Sequence, residues 1–155
     1  MGAFHLGNIS VTSPAFGHGQ PIPAKHTAEG EDVSPELRFA NVPEGTRELA
    51  VICHDPDAPL THGFTHWVVY GIPPDATGIP EGGGDAFTQG MTSFGKEGYG
   101  GPAPPPGHGT HFYFFHLYAL DAPLDAAPGL TADELLSLMD EHIIEQNRLV
   151  GTFER

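Results

Sequence analysis

Between Thr110 and Leu120 apolar residues fill both alternating sets of positions. His111, Tyr113, Phe115, Leu117 and Ala119 fall on one face of an extended chain, and Phe112, Phe114, His116, Tyr118 and Leu120 on the other. A segment apolar on both faces belongs in the middle of a sheet. Four other stretches, Asn8 to Thr12, Leu37 to Phe39, Glu48 to His54 and Thr65 to Ile72, share its β-branched and aromatic character between Pro or Gly clusters, and are expected to be strands. In the last of them His66, Val68, Tyr70 and Ile72 align, which leaves His66 as the polar end of a buried row, placed to face a cavity.

From Ala132 onward the period lengthens. Leu135, Leu138, Met139, Ile143, Leu149 and Val150 form one apolar stripe, and Asp133, Glu134, Asp140, Glu141 and Glu145 a solvated one. The pattern predicts a helix running to about Val150 and packed on the sheet. Thr131 caps it, Glu134 completes a capping box, and Gly151 stops it. Two stretches, residues 73–98 and 99–109, read as long loops, which in a compact domain are usually functional. The second is stiffened by Pro102, Pro104, Pro105 and Pro106 but open at its glycines, a composition that shapes a pocket rim while exposing backbone amides.

Composition fits this mainly β reading: 21 glycines and 16 prolines punctuate the 155 residues without a repeat. The length is that of a single domain, residues 1–155, with room for a real core. A formal charge of −14, with only six Lys plus Arg, repels nucleic acid and anionic membrane surfaces. The N-terminus has neither a basic region nor a long apolar one, and no window approaches the length of a membrane span, so a cytoplasmic protein is expected. The single cysteine, Cys53, sits in the apolar run from Leu49 and reads as a buried hydrophobe.

The candidate chemistry lies in two runs, Asp55-Pro56-Asp57-Ala58-Pro59 with nearby His66, and Gly107-His108-Gly109-Thr110-His111-Phe112-Tyr113. Pro56 restricts Asp55 to extended geometry, and in a segment that stayed extended Asp55 and Asp57 would share a face, one entering a site and the other bracing it. Taken singly, the first run is more often a turn after a strand, and each histidine more often structural. Together, a carboxylate, two imidazoles, a phenol and a glycine-rich rim make a small pocket with donors for a phosphate, sulfate or carboxylate group. Substitution of Asp55 or His111 is expected to remove anion binding with little loss of stability.

The motifs Asp55-Pro56-Asp57-Ala58-Pro59, His66-Trp67, Tyr99-Gly100-Gly101-Pro102, Pro104-Pro105-Pro106-Gly107 and His111-Phe112-Tyr113 resemble, in order and separation, those of the phosphatidylethanolamine-binding protein family. The Ser34-Pro35 element fits as well. The resemblance covers essentially the whole chain and is nearest to the short bacterial and archaeal branch, the Raf-kinase-inhibitor-like proteins. It implies an antiparallel β-sandwich with a C-terminal helix, binding the phosphorylated head group of a small molecule or phospholipid; because the site has no candidate nucleophile with an adjacent base, a non-catalytic binding module without metal or cofactor is expected. By motif match Asp55, His66, His111 and Tyr113 line the pocket, Ala58 and Pro59 form its floor, Pro104 and Pro105 its rim, and Asp57 braces it. Ala103 and Phe112 depart from the family pattern, Phe112 standing where an Arg is common. Relatives inhibit kinases or proteases, so such a protein partner is implied, and a homodimer is the preferred assembly, sealed by Phe87, Met91 and Phe94 if these loop residues are exposed.

A competing reading is a metal-dependent hydrolase. It takes His54, Asp55, Asp57, His62 and His66 as mixed nitrogen and oxygen ligands. Against it, two prolines interrupt the run and no helical His-x-x-x-His pair occurs.

Overall fold

A computed structural model describes residues 7–58 and 63–155 of the protein. Its larger sheet is built on three long neighbouring strands, β4 (Glu48–Asp55), β5 (Phe64–Ile72) and β8 (His111–Leu120), with β8 in the interior as its two-sided apolar pattern requires. The sheet is completed by β2 (Gln20–Pro21), β7 (Thr88–Gln89) and β9 (Ile143–Phe153), in the order β2-β9-β8-β4-β5-β7. All its pairings are antiparallel except that of β2 with β9. A second antiparallel sheet, β1-β3-β6, comprises Ser10–Thr12, Leu37–Ala40 and Gly78–Ile79.

The alternation of β8 divides the core in two. Tyr113, Phe115 and Leu117, with Val51 and Cys53 of β4, meet Val11, Leu37, Phe39 and Ile79 of the small sheet. On the opposite face Tyr118 and Leu120, with Ile52 and Tyr70, meet Leu135 and Met139 of the α-helix. Cys53 is buried in the first cluster, and that burial, with the nearby Asp55 charge, pushes its thiol well above the ordinary range.

The helix, α1, spans only Ala132–Met139. Its start is as the sequence predicts, with Thr131 accepting from the Glu134 N–H while the Glu134 side chain accepts from the Thr131 N–H. Its end is a correction. Residues expected to continue the helix instead form β9, whose register with β8 runs from His111 opposite Phe153 to Leu120 opposite Ile143. Extension gives these residues a full ladder of hydrogen bonds and leaves β8 without an open edge. Ile143, Leu149 and Val150 are therefore strand residues, and Leu138 lies exposed. Gly151 packs against Ile22 and Phe16, where a Cβ would lie 2.5 and 2.7 Å from their side chains, and is not a helix stop.

The 73–98 loop carries β6, β7 and a 3-10 turn at Gly84–Ala86, elements too short to leave a periodic pattern. Phe87 packs against the inter-sheet core and Met91 is half-buried, contrary to an exposed apolar set; only Phe94, 42 % exposed, remains at the surface. Among the described residues no helix is long and apolar enough to cross a membrane.

Candidate functional site: a pocket at the end of the larger sheet

Two irregularities in β5 correct the expected alignment of His66 with Val68, Tyr70 and Ile72. The register against β4 shifts between Cys53 and His54, where Trp67 and Thr65 are the successive partners, so His66 is the extra residue of a bulge. A second shift lies between Leu49 and Val51, near Gly71, whose φ of 67° suits glycine and whose N–H donates to Glu48 Oε2 at 3.0 Å. Val68 and Tyr70 keep the helix-facing side, while Ile72 joins the inter-sheet core. The first bulge brings the His66 ring to within 5.2 Å of Tyr113 on the inter-sheet side of β8.

There it meets the ends of β4 and β8. Asp55 closes β4 and His111 opens β8, both almost wholly buried, and His111 Nδ1 donates to Asp55 Oδ2 at 2.7 Å. Asp55 Oδ1 accepts the Asp57 N–H at 2.7 Å, so the chain turns at Pro56 and the two carboxylates do not share an extended face. Asp57 instead accepts the Phe112 N–H at 3.2 Å, tying the turn to β8. Both oxygens of Asp55 are thus engaged by protein donors.

A cavity of about 290 Å³ lies over this pair, lined by Asp55, Ala58, His66, Pro104, Pro105, His111 and Tyr113 together with Phe64, Phe94 and Ala103. Asp57 is not in its lining, and Pro59 lies outside the described residues. Phe64, Phe94 and Ala103 were not singled out as lining from the sequence, because an aromatic or alanine beside a loop carries no polar pattern. The rim is anchored from behind: Gly101 N–H donates to Asp32 Oδ1 at 2.7 Å, the Tyr99 hydroxyl donates to the His26 carbonyl at 2.7 Å, and His66 Nδ1 donates to the Gly100 carbonyl at 2.7 Å. Phe112 is 43 % exposed and stays outside the cavity.

The electrostatics follow from this geometry. Burial lowers the proton affinity of His66 despite the Gly100 carbonyl and Asp55, so near neutral pH its Nδ1 carries the proton and its Nε2 a lone pair. Burial, then the Asp55 charge, raises the Tyr113 phenol far above its usual range, keeping it a neutral hydroxyl. Of the lining side chains, His66 thus carries a lone pair and Tyr113 a hydroxyl, while His111 Nε2 stands 2.7 Å from the His108 ring.

The proposed hydrolase ligands are divided between two sides of the sheet. His54 faces the helix side, where with His116, Thr65, Tyr118 and Asp133 it borders a separate cleft of about 480 Å³, while Asp55 and His66 face the smaller cavity. Consecutive strand residues point to opposite faces, and the His66 bulge increases the separation. Among the described residues no three His, Cys, Asp or Glu are grouped to hold a metal, and His62 lies outside them.

Two packed sheets with a small pocket at one end, where a few polar groups meet apolar walls, define a ligand-pocket β-sandwich. The chain belongs to the phosphatidylethanolamine-binding protein family, whose sequence profile matches residues 12–154. It is 46 % identical over 151 residues to a UPF0098 protein of Pyrococcus abyssi, covering 92 % of this chain and 84 % of that one. A UPF0098 protein of Methanothermobacter thermautotrophicus is 41 % identical over 153 residues, covering 95 % and 99 %. Among solved structures, a phosphatidylethanolamine-binding protein homologue from Chlamydia trachomatis superposes with a TM-score of 0.89 at 38 % identity, over 95 % of this chain and 97 % of that one. YbcL of E. coli, described as a member of the mammalian family, also gives 0.89, at 29 % identity over 96 % and 99 %.

Proposed function

We propose that the protein is a non-catalytic binding protein whose pocket takes a phosphate-bearing head group. The observation that carries this reading is the convergence of His111, His66 and Tyr113 on one cavity while Asp55 is fully engaged beneath them. An acid phosphate monoester matches this set. Its P–OH donates to His66 Nε2, and its oxygens accept from Tyr113 and from a protonated His111 Nε2. At about 290 Å³ the cavity is at the small end of ligand pockets, which suits a head group better than a whole lipid. The family's name and the match over residues 12–154 support the same ligand class.

The absence of catalysis is part of the proposal. Among the described lining residues the only hydroxyl is the Tyr113 phenol, kept neutral, and the Cys53 thiol is buried in the core. Calorimetry with inorganic phosphate, phosphoethanolamine and a short-chain phospholipid tests the reading, each for the wild type and His111→Ala. The expected result is binding that the substitution abolishes, with the phosphoethanolamine and phospholipid arms separating a free metabolite from a lipid source. Absence of heat with all three would overturn it.

A further inference from the structure

One imidazole, outside the cavity lining but in contact with His111, has no role in the site as described. His108 is exposed between the proline rim and β8, and its Nδ1 stands 2.7 Å from His111 Nε2, with the rings 4.9 Å apart. Because His111 commits its other nitrogen to Asp55, Nε2 is the only ring nitrogen it can offer a ligand. His108 occupies it.

A hydrogen bond between two ring nitrogens contains one proton. A second proton there would set two N–H groups against each other with nothing to accept either, so the contact must open unless an acceptor comes between. An oxyanion is such an acceptor. Gly107 and Gly109 flank His108 at φ of 76° and 90°, and the Gly107 and His108 N–H groups are held by the Arg155 and Pro105 carbonyls, so the contact opens by rotation of the exposed His108 side chain about its own torsions.

We propose that His108 and His111 form a two-imidazole clamp for a phosphate-type oxyanion: the facing nitrogens hold one proton when the site is empty and two when it is filled, both donating to the anion. The added proton comes from solution or from the acid form of the ligand. Around the clamp, Asp55 of β4 holds His111 and counters its charge, His66 and Tyr113 face it across the cavity, and Asp57 is tied to the Phe112 N–H. Glu154 is held by Thr110, and Arg155, whose carbonyl accepts the Gly107 N–H, lies behind. This inference rests on the anion-pocket reading and adds to it a residue and a proton.

Long-range proton–nitrogen NMR on imidazole-labelled protein, titrated with inorganic phosphate and separately with phosphoethanolamine, tests it. The His108→Ala variant assigns the His108 signals. In the free protein one of the two facing nitrogens should have the shift of an unprotonated ring nitrogen, and in the bound protein both should have that of an N–H. His108→Ala should bind phosphate about tenfold more weakly, the equivalent of one charge-assisted hydrogen bond, with an unchanged melting temperature. Unmoved His108 nitrogens beside shifting His111 ones would overturn the clamp, as would a His108→Ala variant that binds as tightly or more tightly. If no histidine signal moves, the anion pocket itself fails, an outcome distinct from failure of the clamp.

Discussion

His111 donates to Asp55 across 2.7 Å with each side chain only 3 % exposed. The pair is therefore as much a part of the fold as of the pocket, which changes what its substitution should do.

Removing Asp55 strands the buried His111 Nδ1–H and releases the Asp57 N–H at the exposed turn. Breaking one side of a buried hydrogen-bonded pair costs about 3 kcal/mol, so Asp55→Ala should lower stability by that order as well as weaken anion binding. This replaces the sequence-based expectation of a nearly neutral change. Urea unfolding of Asp55→Ala, His111→Ala and the double variant should give strongly non-additive losses, the double variant falling short of the sum by about 1–2 kcal/mol. Additive losses would mean that the two side chains are held independently.

The two rim glycines predict different outcomes for the same substitution. A Cβ on Gly101 would run into the His26 carbonyl and lie 2.7 Å from Asp32 Oδ1, groups that are themselves bonded to the rim. A Cβ on Gly100 would meet the Phe94 ring, which is 42 % exposed and can swing outward. Gly101→Ala should therefore lower the melting temperature by several degrees, corresponding to about 1–3 kcal/mol, and Gly100→Ala by much less. The second should act on the pocket instead, by displacing Phe94 from its lining. Thermal melts and phosphate titration of both variants separate the two effects.

What could be read from the sequence followed from local pattern. The alternation of β8 placed Tyr113, Phe115 and Leu117 on one face and Tyr118 and Leu120 on the other, and the capping box at Thr131 and Glu134 fixed where α1 begins. Its end was hidden because Ile143, Leu149 and Val150 satisfy a helical stripe and an extended strand equally well, and only the unpaired side of β8 decides between them. The His66 bulge was hidden for a similar reason. An insertion of one residue against β4 depends on the partner strand and leaves no mark on the period of β5 itself. In the pocket, the polar residues were legible by motif, while Phe64 and Phe94 come in from other loops and strand ends through folding.

The corrected helix boundary has its own test. Phe115 is fully buried between the sheets, in ring contact with Phe16 at 5.8 Å, and Phe115→Ala should cost about 3–5 kcal/mol. Leu138, which a long helix would have buried, is 47 % exposed, and Leu138→Ala should cost less than about 0.5 kcal/mol. Denaturant midpoints at constant slope give both values. A large loss at Leu138 would restore the longer helix.

Acid stability should depend on a histidine outside the pocket. His116 stacks between Phe114 and Tyr118 on the helix side of the sheet, with centroids 5.8 and 6.1 Å away, and Arg148 lies opposite it across the β8–β9 pair. Burial first, then the charges of Arg148 and His54, push its pKa down to about 4 from 6.5. The folded imidazole is therefore neutral where the unfolded one has begun to take a proton, and every step down in pH between those two values favours the unfolded chain. For this group alone the loss relative to pH 7.5 is about 1 kcal/mol at pH 5.5 and about 3 kcal/mol at pH 4, below which it levels off. His54 and His66, both shifted downward chiefly by burial, add to the slope in the same direction. Replacing His116 with phenylalanine keeps a ring in the stack and beside Arg148 but removes the titration. Urea unfolding of both proteins across this range should show the wild type losing more stability than His116→Phe as the solution is acidified. Parallel curves would show that the proton difference between the folded and unfolded chains lies on other groups.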